Sequence, residues 1–146
     1  MALEPSLRPS HSVNVIPFKH KHFQALLDLH TSQKYEPMES LKYQTLPKIG
    51  FIAFLGDQPI AAGFLRRLEP CFAQIDTLVS SAHFGSQIRH QGIQAVVTCL
   101  INEAKRLKLE GILALTKDEG TLSRAEGLGF HVINGVKAIA LPISGV

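Results

Sequence analysis

Hydrophobic and polar residues alternate in short blocks along the chain, and the period of each block predicts its secondary structure. Val13 to Phe18 is a β-branched run that predicts a strand, and apolar residues then recur at helical spacing from Phe23 to His30. The segment between Pro37 and Pro47 predicts a second, shorter helix. The first part of the chain is therefore predicted to form a strand and two helices.

The next block predicts an antiparallel meander. Ile49–Leu55 and Pro59–Leu65 are apolar runs that a three-residue loop separates, which is typical of a β-hairpin. A third run, Cys71–Val79, alternates, so Gln74 and Asp76 share one face of the predicted strand. The other face is predicted to carry Cys71, Ala73, Ile75, Thr77 and Val79.

The cleanest helical pattern follows a polar loop. From Ile93 to Leu107 the apolar residues recur every three or four positions, which predicts one buried helix face. The short apolar run Ile112–Thr116 predicts a strand after that helix, and the strand, helix, strand order implies parallel pairing. Leu122–Leu128 predicts a brief helix that Gly129 ends.

The C-terminal residues predict a last hairpin. Phe130–Ile133 and Val136–Ile143 are joined by Asn134-Gly135, a dipeptide that favours tight hairpin turns. The predicted order is thus β-α-α-β-β-β-α-β-α-β-β, an α+β fold with a mixed central sheet flanked by helices. Residues 1–12 are predicted to be a flexible lead-in, and 13–146 a single domain.

Composition narrows the function classes. The 146 residues are 45% hydrophobic, and 15 Lys and Arg against 12 Asp and Glu give a formal charge of +3. The basic residues are spread thinly, which argues against a nucleic-acid partner. Two cysteines without metal-ligand spacing predict neither a disulfide framework nor a metal site. Because no run approaches the ~18 apolar residues of a membrane helix, we expect a cytoplasmic protein that does not contact a membrane.

Candidate chemistry lies in the loop that leads into the long helix. Small residues there allow a ligand to approach the backbone, and a helix N-terminus offers unpaired N–H groups to a phosphate. Arg89 and His90 would add donors. The helix is predicted to begin at Ser86, as N-cap, or at Gln91. On residue chemistry alone, an ordinary capped helix after an ordinary loop is the favoured interpretation.

The run Arg89-His90-Gln91-Gly92-Ile93-Gln94, placed between a strand and a long amphipathic helix, resembles the acetyl-CoA signature of GNAT N-acetyltransferases, [RQ]-x-x-G-x-[GA]. The order of elements also matches that family, over about Val13 to Ile143, and Arg124–Phe130 resembles its Gly-Phe segment. The expanded loop before Arg89 is similar to that of small acetyltransferase-like proteins of bacteriophages, which would place the protein in a host cytoplasm.

The resemblance implies a binding mode for acetyl-CoA as co-substrate. In that family the pantetheine arm enters between the strand equivalent to Cys71–Val79 and the next parallel strand. Its amides would pair with the backbone of Leu78, Val79 and Ser80. The diphosphate would rest on the segment that begins at Ser86 and includes Arg89, His90, Gln91, Gly92, Ile93 and Gln94.

The chain departs from the family pattern at three positions. Gln94 stands where Gly or Ala is usual, and Ala125 stands where many relatives have a tyrosine acid. Gln74 occupies the place of a common glutamate base, which leaves Asp76 as the nearby carboxylate. Ser123, or Thr121 in the same segment, could reach the sulfur. Asp76, Gln74 and Ser123 are therefore the predicted catalytic residues.

The resemblance implies an N-acetyltransferase that moves an acetyl group from acetyl-CoA to a primary amine of a small molecule or protein. The missing tyrosine predicts a slow enzyme. It also favours an alternative, a GNAT-fold binding module that holds acyl-CoA or a host macromolecule without turnover. The acceptor is not named by any pattern, and the last strands could pair with a second copy to form a homodimer.

Overall fold

The computed structural model describes residues 12–33, 41–116, 119–137, 139 and 141. Their contacts divide the chain into two compact units, with the boundary between Leu115 and Thr116. The predicted lead-in lies outside the described residues except for Ser12. One domain over 13–146 stays a prediction.

The first unit contains a five-stranded mixed sheet with strand order β1-β2-β3-β4-β5. Neighbouring strands are antiparallel from β1 to β4, whereas β4 and β5 are parallel. The elements are β1 (Val13–Pro17), α1 (Phe23–Ser32), β2 (Ile49–Leu55), β3 (Gln58–Leu68), β4 (Phe72–Ser80), α2 (Ser86–Arg106) and β5 (Gly111–Leu113). The predicted α+β fold with a mixed sheet is confirmed.

Each face of the sheet packs against one helix of the first unit. Val96, Leu100 and Ala104 are the buried residues of α2 in the cluster that it forms with the sheet. Leu26 and Leu29 of α1 are buried on the opposite face, in a cluster with sheet residues Ile52, Ala62, Phe64 and Val79. The apolar faces predicted from helical periodicity are therefore the core faces.

A β-bulge interrupts β4 and changes which side chains share a face. Ala62 pairs with Val79 but Phe64 pairs with Asp76, so β4 contains one more residue than β3 over this stretch. Thr77, within the bulge, has a φ of 54°. As a result Val79 packs on the α1 face while Ala73 packs on the α2 face. The alternation predicted through Cys71–Val79 is wrong beyond Asp76, because one extra residue reverses the phase.

Two predicted elements of the first unit are shorter in the structure. The second helix is represented by one 3-10 turn, Tyr43–Thr45, and residues 37–40 of that segment lie outside the described residues. The strand predicted over Ile112–Thr116 is β5, which ends at Leu113. Helices and strands this short depend on tertiary contacts more than on local pattern.

The second unit contains α3 (Glu119–Gly127). The amide of Phe130 donates to the carbonyl of Ala125, and that of Gly129 to Glu126. Gly129 has a φ of 97°, so the helix ends in a Schellman motif that requires a residue without a Cβ penalty. The predicted stop at Gly129 is confirmed, whereas the helix begins at Glu119, three residues before the predicted start at Leu122.

The predicted C-terminal hairpin is not formed by the described residues. Phe130–Ile133 is not a strand, although Gly135 has a φ of 81°, as a tight turn requires. The second predicted strand, Val136–Ile143, lies in part outside the described residues. Ile133 and Val136 are 72% and 65% exposed, so neither has the buried partner face that stabilises a two-stranded hairpin.

Candidate functional site

The parallel strands β4 and β5 stay paired over a short distance only. The ladder runs from Phe72 opposite Gly111 to Gln74 opposite Leu113. β4 then continues to Ser80 without a β5 partner among the described residues. Alternate backbone N–H and C=O groups along the last part of β4 point away from β3. This edge can therefore accept an extended ligand with amide groups, and Leu78, Val79 and Ser80 lie on it.

The helix α2 begins at Ser86, and Gly85 is its N-cap residue. The amide of Arg89 is the first that donates within the helix, to the carbonyl of Gly85. Gly85 has no side chain to cap the helix, and the first turn has no acidic residue. Backbone N–H groups of the first turn and the positive end of the helix dipole thus face the loop that follows β4. Ser86 is thus the first helical residue and not the predicted N-cap, and the alternative start at Gln91 is wrong.

The motif residues that follow lie inside the helix. Arg89 is half-buried, His90, Gln91 and Gln94 are exposed, and Ile93 is half-buried. Gly92 is buried, and a Cβ on it would lie 2.9 Å from Cδ1 of Ile60 and 3.2 Å from Cβ of Ala61. The missing side chain at Gly92 therefore allows α2 to approach β3 closely. The ligand contacts of this segment stay a prediction.

The end of β4 is fixed by side chains from both flanking helices. Arg89 Nε donates to Oγ of Ser80 at 3.1 Å, and Gln33 Nε2 donates to the Ser80 carbonyl at 2.6 Å. Ser32 Oγ accepts from the amide of Ala82 at 3.0 Å. The candidate ligand edge of β4 is therefore held in place before any ligand binds, which reduces the entropy cost of binding. Helical spacing places Ser32 and Gln33 at the end of α1 but gives no signal of these contacts.

Both oxygens of the Asp76 carboxylate accept hydrogen bonds. Arg66 Nε donates to Oδ2 at 2.7 Å, and Thr77 Oγ1 donates to Oδ1 at 2.9 Å. Arg66 Nη2 also donates to the carbonyl of Thr45 at 3.2 Å. Asp76 thus connects the bulge in β4 to the Tyr43–Thr45 turn. Gln74, the cross-strand partner of Arg66, lies on the same face. Arg66 was not among the predicted site residues, because its link to Asp76 depends on strand register.

The two cysteine thiols are held in their protonated form. Desolvation and a hydrogen bond with the Glu110 carboxylate raise the pKa of Cys71. Burial raises the pKa of Cys99. A thiol with a raised pKa is a poor nucleophile at neutral pH. The arrangement therefore does not favour a covalent acyl-cysteine intermediate at either position.

The third predicted catalytic residue lies in the second unit. Ser123 is an exposed residue of α3, and Ala125, at the position of the family's tyrosine, is half-buried on the same helix. Arg124 Nη2 donates to Oγ1 of Thr121 at 3.2 Å. The structure shows their place on α3, and a role of Ser123 at the sulfur stays a prediction.

A pocket with a volume of about 260 Å³ opens on the sheet near the Tyr43–Thr45 turn. The rings of Phe18, Tyr43 and Phe64 line it, and Gln44 and Lys48 supply its polar lining. Phe64 is the cross-strand neighbour of Asp76, so the pocket lies beside the bulge. Pockets that bind small molecules are typically apolar with a few such polar groups.

The described residues offer neither a metal cluster nor a membrane-spanning helix. They contain no group of three or more His, Cys, Asp or Glu side chains that could hold a metal ion. None of their helices is both long and apolar enough to cross a membrane.

Comparison with known proteins places this geometry in context. No family model and no curated protein sequence matches the chain. Among solved structures, a GNAT-family acetyltransferase from Streptococcus pneumoniae matches with a TM-score of 0.71 at 11% identity, over 90% of this chain and 98% of that one. An aminoglycoside acetyltransferase from an uncultured soil metagenomic sample matches with a TM-score of 0.68 at 9% identity, over 90% and 96%.

An acetyltransferase from Trypanosoma brucei matches with a TM-score of 0.66 at 10% identity, over 89% of this chain and 100% of that one. At such identities the likeness describes the arrangement of the backbone. The chain therefore has the fold of the GNAT-family acetyltransferases.

Proposed function

We propose that this protein is an acyltransferase that binds acetyl-CoA along the end of β4 and the start of α2, and transfers the acetyl group to a primary amine. The observation that carries the proposal is the early end of the β4–β5 ladder at Gln74 and Leu113. The strand beyond it leads directly to an uncapped helix N-terminus. An open strand edge followed by a phosphate site suits a ligand that has amides at one end and a diphosphate at the other.

The residues present fit the two parts of such a ligand. Backbone groups of Leu78, Val79 and Ser80 would pair with the pantetheine amides. The amide of Arg89 already donates to the carbonyl of Gly85. The first-turn amides ahead of it, from Ser86 onward, would therefore hold the diphosphate. The guanidinium of Arg89 uses Nε on Ser80 and has further N–H donors that suit a phosphate oxygen. Gln91 and Gln94 are exposed and would add amide donors from the next turns.

Acetyl-CoA supplies an activated thioester, and the chain must supply orientation and proton transfer. The amine nitrogen forms a bond to the acetyl carbon, the carbon–sulfur bond breaks, the nitrogen loses a proton and the thiolate gains one. Gln74 and Asp76 lie on the face from which an amine would reach the bulge, so a water held by Gln74 could carry the amine proton. Asp76 would position that water and the bulge. Ser123 is the candidate donor to the thiolate.

A second candidate function is a binding module that holds acyl-CoA without turnover. Ala125 cannot donate a proton, and both Asp76 oxygens already accept hydrogen bonds. These two observations favour weak or absent catalysis while leaving the β4 edge and the α2 start intact.

Calorimetric titration tests the binding step. We expect acetyl-CoA to bind with a Kd below about 1 mM, near a free energy of −4 kcal/mol. Arg89→Gln should weaken binding about fivefold by removing one charge-assisted contact. Arg106→Gln is the matched control at the other end of α2, where the guanidinium pairs with Glu103, and should bind as the parent does. Absence of binding by the parent protein at submillimolar ligand would refute the proposal.

Thiol release separates the enzyme from the binding module. Protein and acetyl-CoA are incubated with small amines, polyamines and lysine peptides, and free CoA thiol is measured against a reaction without protein. Release that depends on an amine supports the acetyltransferase. Binding without release for any amine supports the module. The host-cytoplasm location, the likeness to phage proteins and a homodimer stay predictions.

A further inference from the structure

The pocket beside the bulge has rigid aromatic walls. Phe64 is 1% exposed, and the ring of Phe18 packs edge-on against it with centroids 4.9 Å apart. Tyr43 stacks on His20 at 4.3 Å, and Phe23 meets its edge at 6.2 Å. Each wall is thus fixed by a second ring. Preset aromatic walls around a volume of about 260 Å³ suit a flat ring of similar size.

The electrostatic character of the pocket is positive. Its lining comes from Phe18, from five residues between Tyr43 and Lys48, and from Phe64. Lys48 is the charged residue of this lining, and the described stretches around it, Phe18–Phe23 and 41–48, carry four lysines and no carboxylate. The neighbouring carboxylate, Asp76, accepts a hydrogen bond from Arg66, which offsets its charge. The surrounding field therefore attracts an anion and repels a polycation.

A specific cation is in place to meet such an anion. Lys48 lines the pocket together with the apolar walls, and Gln44 adds an amide to the same lining. Both side chains are exposed, so each can turn towards a ligand at the pocket mouth. An ammonium group and an amide are the donors that a carboxylate requires.

We propose that this pocket binds a small ligand that carries a flat ring and a carboxylate. This proposal rests on the proposed function. The acceptor is then an amine that carries a flat ring and a carboxylate, and polycations such as polyamines are excluded. The position supports this assignment, because Phe64 pairs with Asp76 next to the bulge where the acetyl group would lie. The carboxylate would face Lys48 while the amine faces β4.

NMR titration of the ¹⁵N-labelled full chain tests the proposal without using activity. The probes are phenylacetate, phenylalanine, phenethylamine and spermidine. We expect phenylacetate and phenylalanine to shift the amides of 41–48 and Phe64. Phenethylamine, which has the ring but no carboxylate, should bind at least about fivefold more weakly, and spermidine should not shift these amides.

Charge reversal at the pocket mouth provides the matched test. Lys48→Glu should abolish the preference for phenylacetate over phenethylamine, whereas Lys105→Glu, at an exposed position of α2, should preserve it. Equal binding of both probes by the parent protein, or an equal effect of the two variants, overturns the proposal. The absence of any amide shift at phenylacetate concentrations on the order of 10 mM also overturns the proposal, because a Kd of about that size is the weakest that we expect of such a pocket. The acetyl-CoA titration is a separate measurement, so either proposal can fail while the other stands.

Discussion

At the scale of single residues, His22 shows how burial determines a protonation state. Its ring is 8% exposed and lies near the rings of Phe18 and Phe54. Its Nδ1 accepts a hydrogen bond from the amide of Lys19 at 2.9 Å, which requires that nitrogen to be unprotonated. Burial, and then the charges of Lys21 and Lys19, lower the pKa of His22 below its ordinary value of 6.5. The folded protein therefore resists protonation of this ring.

Stability should consequently fall in mildly acidic solution. Below about pH 6.5 the unfolded chain takes up a proton that the folded chain resists, so the free energy of unfolding decreases as pH falls towards the lowered pKa. Burial lowers the pKa of His30 as well, which adds to the same trend. Urea midpoints at pH 7.5 and 5.5 measure it. His22→Asn keeps an acceptor for Lys19 and should reduce the difference, while His131→Asn, an exposed control, should retain it.

Asp76 is a second case in which contacts define a role. Its carboxylate joins Arg66, Thr77 and, through Arg66, the carbonyl of Thr45. Asp76→Ala should lower the free energy of unfolding by about 1 kcal/mol, since a partly exposed ion pair and one hydrogen bond are lost. Combined with Arg66→Ala, the losses should be non-additive by about 0.5 kcal/mol. Lys105→Ala is the control partner, and strictly additive losses for Asp76 and Arg66 would contradict the link.

At the scale of elements, the sequence predicted helices and strands where the apolar period is long and regular. Ile49–Leu55 matches β2 at both ends, and the parallel pairing that follows α2 is confirmed. The bulge in β4 could not be predicted, because the alternation of Cys71–Val79 is complete without it. The Arg66–Asp76 pair depends on register, and contacts between α1 and Ser80 join residues far apart in sequence. None of these leaves a local pattern.

The packing of α2 on β3 gives an element-scale prediction about the signature glycine. A Cβ at Gly92 would lie 3.0 Å from Cγ1 of Ile60 and 3.2 Å from Cβ of Ala61. Gly92→Ala should therefore lower the free energy of unfolding by about 1 kcal/mol, because overpacking outweighs the gain in helix propensity. Gly85→Ala is the matched control at the start of the same helix, where a Cβ would meet nothing within 4 Å. Urea unfolding compares the stability of the two variants. A Gly92→Ala variant more stable than the parent would contradict the prediction, because it would show that β3 can shift to make room for the Cβ.

At the scale of the whole molecule, ligand binding should appear as global stability. A ligand that binds only the folded state at one hundred times its Kd adds about 2.7 kcal/mol to the free energy of unfolding. We expect acetyl-CoA to raise the urea midpoint accordingly, and the gain to shrink between 50 and 500 mM NaCl, as Debye screening of about 10 Å at 0.1 M predicts for diphosphate contacts. Pantetheine lacks the diphosphate, so any gain from it should not depend on salt. Salt-independent stabilisation by acetyl-CoA would contradict a site at the start of α2.

The single added residue in β4 has a consequence for how this chain tolerates changes in length. Upstream of Thr77 the strand turns odd-numbered side chains such as Ala73 towards α2, and downstream it turns Val79 towards α1. Removing Thr77 would take out the extra residue itself, so plain alternation would leave Leu78 towards α2 and Val79 towards α1, where they already lie. Deleting Ile75 would instead turn Asp76 towards α2, so β4 should tolerate the loss of a residue at the bulge better than the loss of one ahead of it.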